Sequence, residues 1–165
     1  MIHPPKAAPG DKAAVLSPSF AAPAVGTAVH EQAMARLADP VELPPARAEA
    51  AARVVAAMMA EPYMVGGRDE FASVLMDRCA GKLALKSGAE GVYVAILPGL
   101  GLGVCVKAED GTSRAAQVAV GQVLEELGVL TSEEKRMLAD RLTPPVVNRV
   151  GLEVGRIRPA AEAAF

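Results

Sequence analysis

Hydrophobic and polar positions change their period several times along this chain, and each change marks an element. Residues 1–23 (MIHPPKAAPGDKAAVLSPSFAAP) carry five prolines and neither a helical nor a strand period, so they read as irregular, ordered only where they touch a core. From residue 25 the run VGTAVHEQAMARLADP suits a short helix ending before Pro40. PARAEAAARVVAAMMAEP, from Pro45, suits a longer one, with Val54, Val55, Met58 and Met59 on one side and Arg47, Glu49 and Arg53 elsewhere. Met58 and Met59 read most simply as core filler. After the break EPYMVGG, the segment RDEFASVLMDRCAG places Phe71, Val74, Leu75 and Arg78 at helical spacing, with Gly81 as its stop.

The period then shortens to two. KLALK sets Leu83 and Leu85 against Lys82, Ala84 and Lys86; VYVAIL is apolar throughout, as expected of a strand covered on both sides; LGVCVK alternates Leu102, Val104 and Val106 against Gly103, Cys105 and Lys107. Short glycine-containing connections between these runs predict an antiparallel meander. Asp110-Gly111 marks a turn, and residues 112–127 return to the helical period with Ala116, Val120, Val123, Leu124 and Leu127 on one stripe. Gly128 closes that helix. Thr131 and Glu134 then form a capping-box pattern that opens a short helix stopped by Pro144-Pro145. Finally NRVGLEVGRIRP alternates Val150, Leu152 and Val154 against Gly151, Glu153 and Gly155, which predicts a fourth strand able to join the same sheet. The pattern contains no internal repeat. It adds up to an α+β fold of the α/β-sandwich kind, an antiparallel sheet with helices packed on it.

Composition narrows the function classes. At 165 residues and 52% apolar content the chain can bury one proper core. Seventeen Lys and Arg stand against 19 Asp and Glu, a net charge of −2 that would not steer phosphates or an anionic membrane to the surface. With no Trp, two Tyr and three Phe there are few stacking platforms for bases, so no nucleic-acid partner is expected. Every apolar run is interrupted before the ~20 residues a bilayer span needs, so no membrane partner is expected either. No basic segment followed by an unbroken apolar one marks a signal peptide, which leaves the cytoplasm as the expected location. Cys79 and Cys105 lie in apolar surroundings with no His or second Cys at metal spacing, and read as small buried hydrophobes.

Candidate chemistry is sparse. PGLGLG at 98–103 is followed by a strand rather than a helix, so its glycines serve a hairpin turn, not a dinucleotide. Ser132 and Lys135 have the S-x-x-K spacing, but the serine opens a polar helix beside two glutamates that keep the lysine a cation. His3 and His30 are far apart and read as surface residues. There remains KSG at 86–88: Lys86 projects opposite Leu83 and Leu85, and Ser87-Gly88 places a hydroxyl beside backbone that a ligand can approach closely. Such a group can hold a carboxylate or shift a neighbour's pKa. By spacing alone a solvated lysine before a turn is the slightly favoured reading.

Several stretches together resemble a known family. A KSG strand, two further antiparallel strands and a long helix look like the C-terminal part of serine β-lactamases, penicillin-binding proteins and glutaminases. The similarity is greater to the bacterial L-asparaginase II family, the Rhizobium-type asparaginases of β-lactamase-like fold. SPSFAAP, MARLADPVELPPARAEAAARVVAAM, EPYMVGGRDEFASVLMDRCAGKLALKSGAEGVY, LGVCVKAEDGTSRA and NRVGLEVGRIRP follow that family's order, over roughly 17–158. MVGG followed by KSGAEGVY is the most specific part.

The resemblance implies a partial β-lactamase-like fold, the C-terminal half of a family domain at 17–158 between an irregular segment at 1–16 and a tail at 159–165. It implies asparagine as the small-molecule amide substrate, Lys86 as the active-site lysine of the sheet, Ser87 and Gly88 lining the pocket, and Glu90 in the loop beside it. The family's nucleophile sits in an S-x-x-K motif near the N-terminus, and its zinc is held by cysteines and a lysine upstream. This chain has AAVLSPSF, with Ala13, Ala14 and Val15 where an Asp-Gly-Cys is expected, so no zinc or other cofactor is expected here. The resulting expectation is an asparaginase-related amidohydrolase polypeptide, weak or inactive alone. Its alternative is a non-catalytic binding or assembly module that forms a homo-oligomer or completes a separate N-terminal half.

Overall fold

The alternation that starts at Lys82 does build strands, but two residues further on, so that KSG lies inside a strand and not after it. A computed structural model describes residues 14–16 and 27–160. Its elements are β1 (Ala14–Leu16), α1 (Thr27–Ala38), α2 (Pro45–Ala60), α3 (Pro62–Gly66), α4 (Phe71–Arg78), β2 (Ala84–Gly88), β3 (Val92–Leu97), β4 (Leu102–Lys107), α5 (Ser113–Glu126), α6 (Ser132–Met137), α7 (Ala139–Leu142), β5 (Pro145–Val147) and β6 (Glu153–Arg156). The class is α+β. β2, β3 and β4 form the antiparallel meander, and β1 adds to β4 in parallel, giving the order β1-β4-β3-β2. Part of the segment read as irregular is thus a strand. The Pro98–Leu100 turn and a left-handed Gly101 (φ 63°) connect β3 to β4, a hairpin as predicted.

Register assigns every strand residue to a face. Lys86, Val94 and Cys105 lie side by side, flanked by Ala84, Ile96 and Gly103, on the face covered by α1 and α2. Leu85, Ala95 and Val104, with Tyr93 and Val106, form the other face, under α4 and α5. There Tyr93 meets Phe71 edge to face at 5.6 Å between centroids, donates to Glu70 Oε1 (2.7 Å) and accepts from Gln117 Nε2 (3.1 Å). All six residues of β4 are buried because helices cover both faces. On α5 the predicted stripe Ala116, Val120, Val123 and Leu124 is buried against the sheet.

Two expectations are corrected. NRVGLEVGRIRP does not join the main sheet; its strand β6 pairs with β5 in a separate two-stranded sheet. A nearby partner wins over a distant one: Asn148 Oδ1 accepts from the amides of Val150 and Leu152, and Gly151 turns at φ 86°, so the chain folds straight back on residues 145–147. Val150, Leu152 and Val154 are consequently 79%, 62% and 63% exposed. Val54, read as part of the core stripe of α2, is also exposed, while Val55 is buried and Met58 and Met59 pack partly against the core.

The capping box at Thr131 forms as the pattern predicts. Glu134 Oε2 accepts from Thr131 N (2.8 Å), the Thr131 hydroxyl accepts from Glu134 N (3.2 Å), and Lys82 Nζ reaches both carboxylate oxygens at 2.7 Å. Burial pushes the Glu134 carboxyl up, but Lys82 and Thr131 together hold it below its ordinary 4.5. Glu134→Ala should therefore cost about 1–2 kcal/mol in urea unfolding near neutral pH. Because the folded pKa is the lower one, this contribution is complete above pH 4.5 and disappears as pH falls through the folded value, so the variant should lose less stability on acidification than the parent.

Candidate functional site

Leu83, just before strand β2, and Ala84 and Leu85 within it are buried, and the strand then turns polar at Lys86. It is an edge strand, so a cation there can reach solvent without crossing another strand. The Lys86 ammonium donates to Ser87 O at 2.6 Å and stands 3.5 Å from Ser87 Oγ. Beside it, under α1 and α2, lies a hollow of about 170 Å³ lined by Met34, Leu37, Met58, Ala84, Lys86, Val94 and Ile96. A charged head at the mouth of an apolar pocket suits a small ligand with one anionic end.

The four predicted residues are not all at this hollow. Lys86 lines it. Ser87 follows on the opposite side of the pleat, the side of Tyr93, and Gly88 pairs with Val92 farther along the strand. A Cβ on Gly88 would come within 3.1 Å of Val92 Cβ, so the close approach it permits is to its own hairpin. Glu90 sits in the β2–β3 turn at φ 57°, its carboxylate beside Gly111 of the β4–α5 loop. Met34 and Leu37, which sequence reasoning did not single out, supply the wall. Their signal was present, as apolar positions at i, i+3 on α1 opposite a glycine, Gly103, that admits the helix backbone.

The remaining candidates do other work. Ser132 is the first residue of α6 and Lys135 binds Glu125 Oε1 at 2.7 Å, so that lysine is a paired cation and not a base for the serine. Cys79, at the end of α4, and Cys105, in the middle of β4, are buried free thiols. Burial, reinforced by Glu134, pushes Cys79 up to about 11 against the pull of Lys82; burial and then Glu31 push Cys105 up to about 11. No three His, Cys, Asp or Glu side chains gather at metal-holding distance among the described residues. Among the described residues no helix is long and apolar enough to cross a membrane.

A family model described as L-asparaginase II matches residues 17–159. No curated protein matches the chain.

Proposed function

This chain belongs to the L-asparaginase II family, and from that premise we propose that it is an amidohydrolase-type polypeptide whose sheet lysine, Lys86, holds the carboxylate of asparagine. Intact relatives add water across the side-chain amide, giving aspartate and ammonia; the C–N bond breaks and the leaving nitrogen takes up a proton. What supports the assignment is the position of Lys86, a cation on an edge strand beside an apolar hollow of small-ligand size. Lys86 binds and orients. It does not supply the nucleophile: Ser87 Oγ lies 3.5 Å from the Lys86 ammonium that the substrate carboxylate would occupy, Ser73 donates to Pro62 O, and Lys135, three residues after Ser132, is held by Glu125. Alone, the chain binds with little or no turnover.

Two measurements on the purified chain test this. Asparagine titration followed by NMR should give weak saturable shifts around residues 84–96, and Lys86→Met should weaken them roughly tenfold or more. Ammonia release should stay at background; turnover comparable to an intact amidohydrolase would show that the catalytic residues have been misassigned.

A second reading, an assembly module, draws on the β5–β6 hairpin, where Val147, Val150, Leu152 and Val154 all face solvent. Sedimentation as a clean monomer at high concentration would count against it.

A further inference from the structure

The hollow beside Lys86 has a direction. Its floor consists of two register pairs of strand residues, Lys86 with Val94 and Ala84 with Ile96. Lys86 is exposed and Val94 half-buried, whereas Ala84 and Ile96 are 1% and 3% exposed, so the hollow opens at the lysine and deepens toward the second pair. Two residues along a strand span about 6.6 Å. Met34 and Leu37, one turn apart on α1, and Met58 of α2 form the roof, all three half-buried.

Lys86 is the one side chain of that lining able to make a strong hydrogen bond; the others are hydrocarbon or thioether. Inside the hollow the ammonium and the amide of asparagine would lose their water with no oxygen to receive their protons, which is costly for the amide and more so for the charge. Asparagine held by its carboxylate on Lys86 therefore keeps the rest of its body outside. A saturated chain meets no such cost, and the two methionines can adjust their rotamers around it. The Lys86 ammonium gives one of its three protons to Ser87 O, which leaves donors at the mouth for a carboxylate.

We propose that the hollow takes the chain of a short aliphatic monocarboxylate, of the length of butanoate or pentanoate, whose carboxylate sits on Lys86 in place of asparagine's. This presupposes Lys86 as a carboxylate holder and gives the same site a second ligand class. Aliphatic acids and asparagine exclude one another at the lysine, while their bodies lie in different places.

Butanoate added to the full chain, followed by NMR of the methionine methyl groups and the amides, is the test. Saturable shifts are expected at the Met34 and Met58 methyls as well as at residues 84–96, while asparagine should move only the latter. Affinity should rise roughly two- to fourfold for each methylene from acetate to butanoate. Butan-1-ol, which lacks the charge, and 4-aminobutanoate, which would bury an ammonium, should each bind roughly tenfold or more weakly than butanoate. Excess butanoate should displace asparagine. Val94→Phe, at a half-buried floor position, should abolish the butanoate shifts and leave asparagine affinity within about threefold. Met58→Ala, which widens the roof, should move the preferred chain length toward hexanoate. Shifts from asparagine without any from butanoate, equal affinity for butanoate and 4-aminobutanoate, or simultaneous binding of butanoate and asparagine would each overturn this proposal and leave the asparagine assignment standing. Butanoate shifts that Lys86→Met weakens, with none from asparagine, would do the reverse, and silence from both ligands would overturn both.

Discussion

Gly103→Ala is expected to destabilise the protein by roughly 3 kcal/mol or more. A methyl group at this position would stand 2.3 Å from the backbone nitrogen of Ala35, 2.6 Å from the Met34 carbonyl carbon and 2.7 Å from Met34 Cβ. None of these atoms is the end of a flexible side chain. Relief requires α1 to lift off the sheet, and that helix covers β4 and β3 and carries the buried Ala35 and Ala38. Because Met34 and Leu37 also wall the hollow beside Lys86, asparagine binding should fall with stability. Gly99→Ala is the matched control, since nothing lies within 4 Å of a Cβ there, and it should change stability by no more than about 0.5 kcal/mol. Urea midpoints compare the two directly. Equal midpoints would mean that the packing of α1 is not what demands glycine at 103.

Gly103 also shows where sequence reasoning stops. Alternation placed it opposite Leu102 and Val104 on a strand, correctly, yet gave no sign that a helix some 70 residues earlier presses its backbone there. Period is a local property, and it located β3, β4 and α5 because those elements bury one stripe or both faces. Partnership is not local. Val150, Leu152 and Val154 alternate as well as Leu102, Val104 and Val106 do, and only the turn chemistry of Asn148 and Gly151 indicates that β6 closes on β5. In α3, Pro62 at the first helical position was the overlooked start signal within a stretch read as a break.

The candidate site divides in the same way. Spacing located Lys86 at the polar end of a buried apolar run, but only the family resemblance singled it out as a site residue. The roles of Ser87 and Glu90 came with it from the family resemblance; in the fold Ser87 is on the opposite side of the pleat from Lys86 and Glu90 is in the turn after β2. Lys107 was not legible as a buried residue. The pattern assigned it to the polar side of a half-buried strand, whereas β4 is covered on both sides, and a lysine on such a strand has no solvent to reach.

The second large effect is expected in alkali. Tyr93 and both cysteines are neutral and buried, with their folded pKa values raised: burial first in each case, with Glu70 adding to it at Tyr93 against the opposing Gln117 hydrogen bond. Above the ordinary thiol value of 9.0 the unfolded chain ionises at Cys79 and Cys105 while the folded chain keeps both protons until about 11. The folded state then binds more protons, so stability must fall as pH rises, by about 1.4 kcal/mol per pH unit for each thiol. Two thiols acting together remove about 3 kcal/mol per unit, against a total of about 5–15 kcal/mol for a domain of ordinary stability. Urea midpoints should be flat up to pH 9.0 and then drop steeply. In the Cys79→Ala/Cys105→Ala variant the drop should be delayed until pH passes 10.0, the ordinary tyrosine value, where Tyr93 alone carries it. Iodoacetamide labelling of the parent provides an independent measure: both thiols should react only through opening of the fold, with a rate that climbs as the midpoint falls. Parallel alkaline declines in parent and variant would show that the buried thiols are not the groups that titrate.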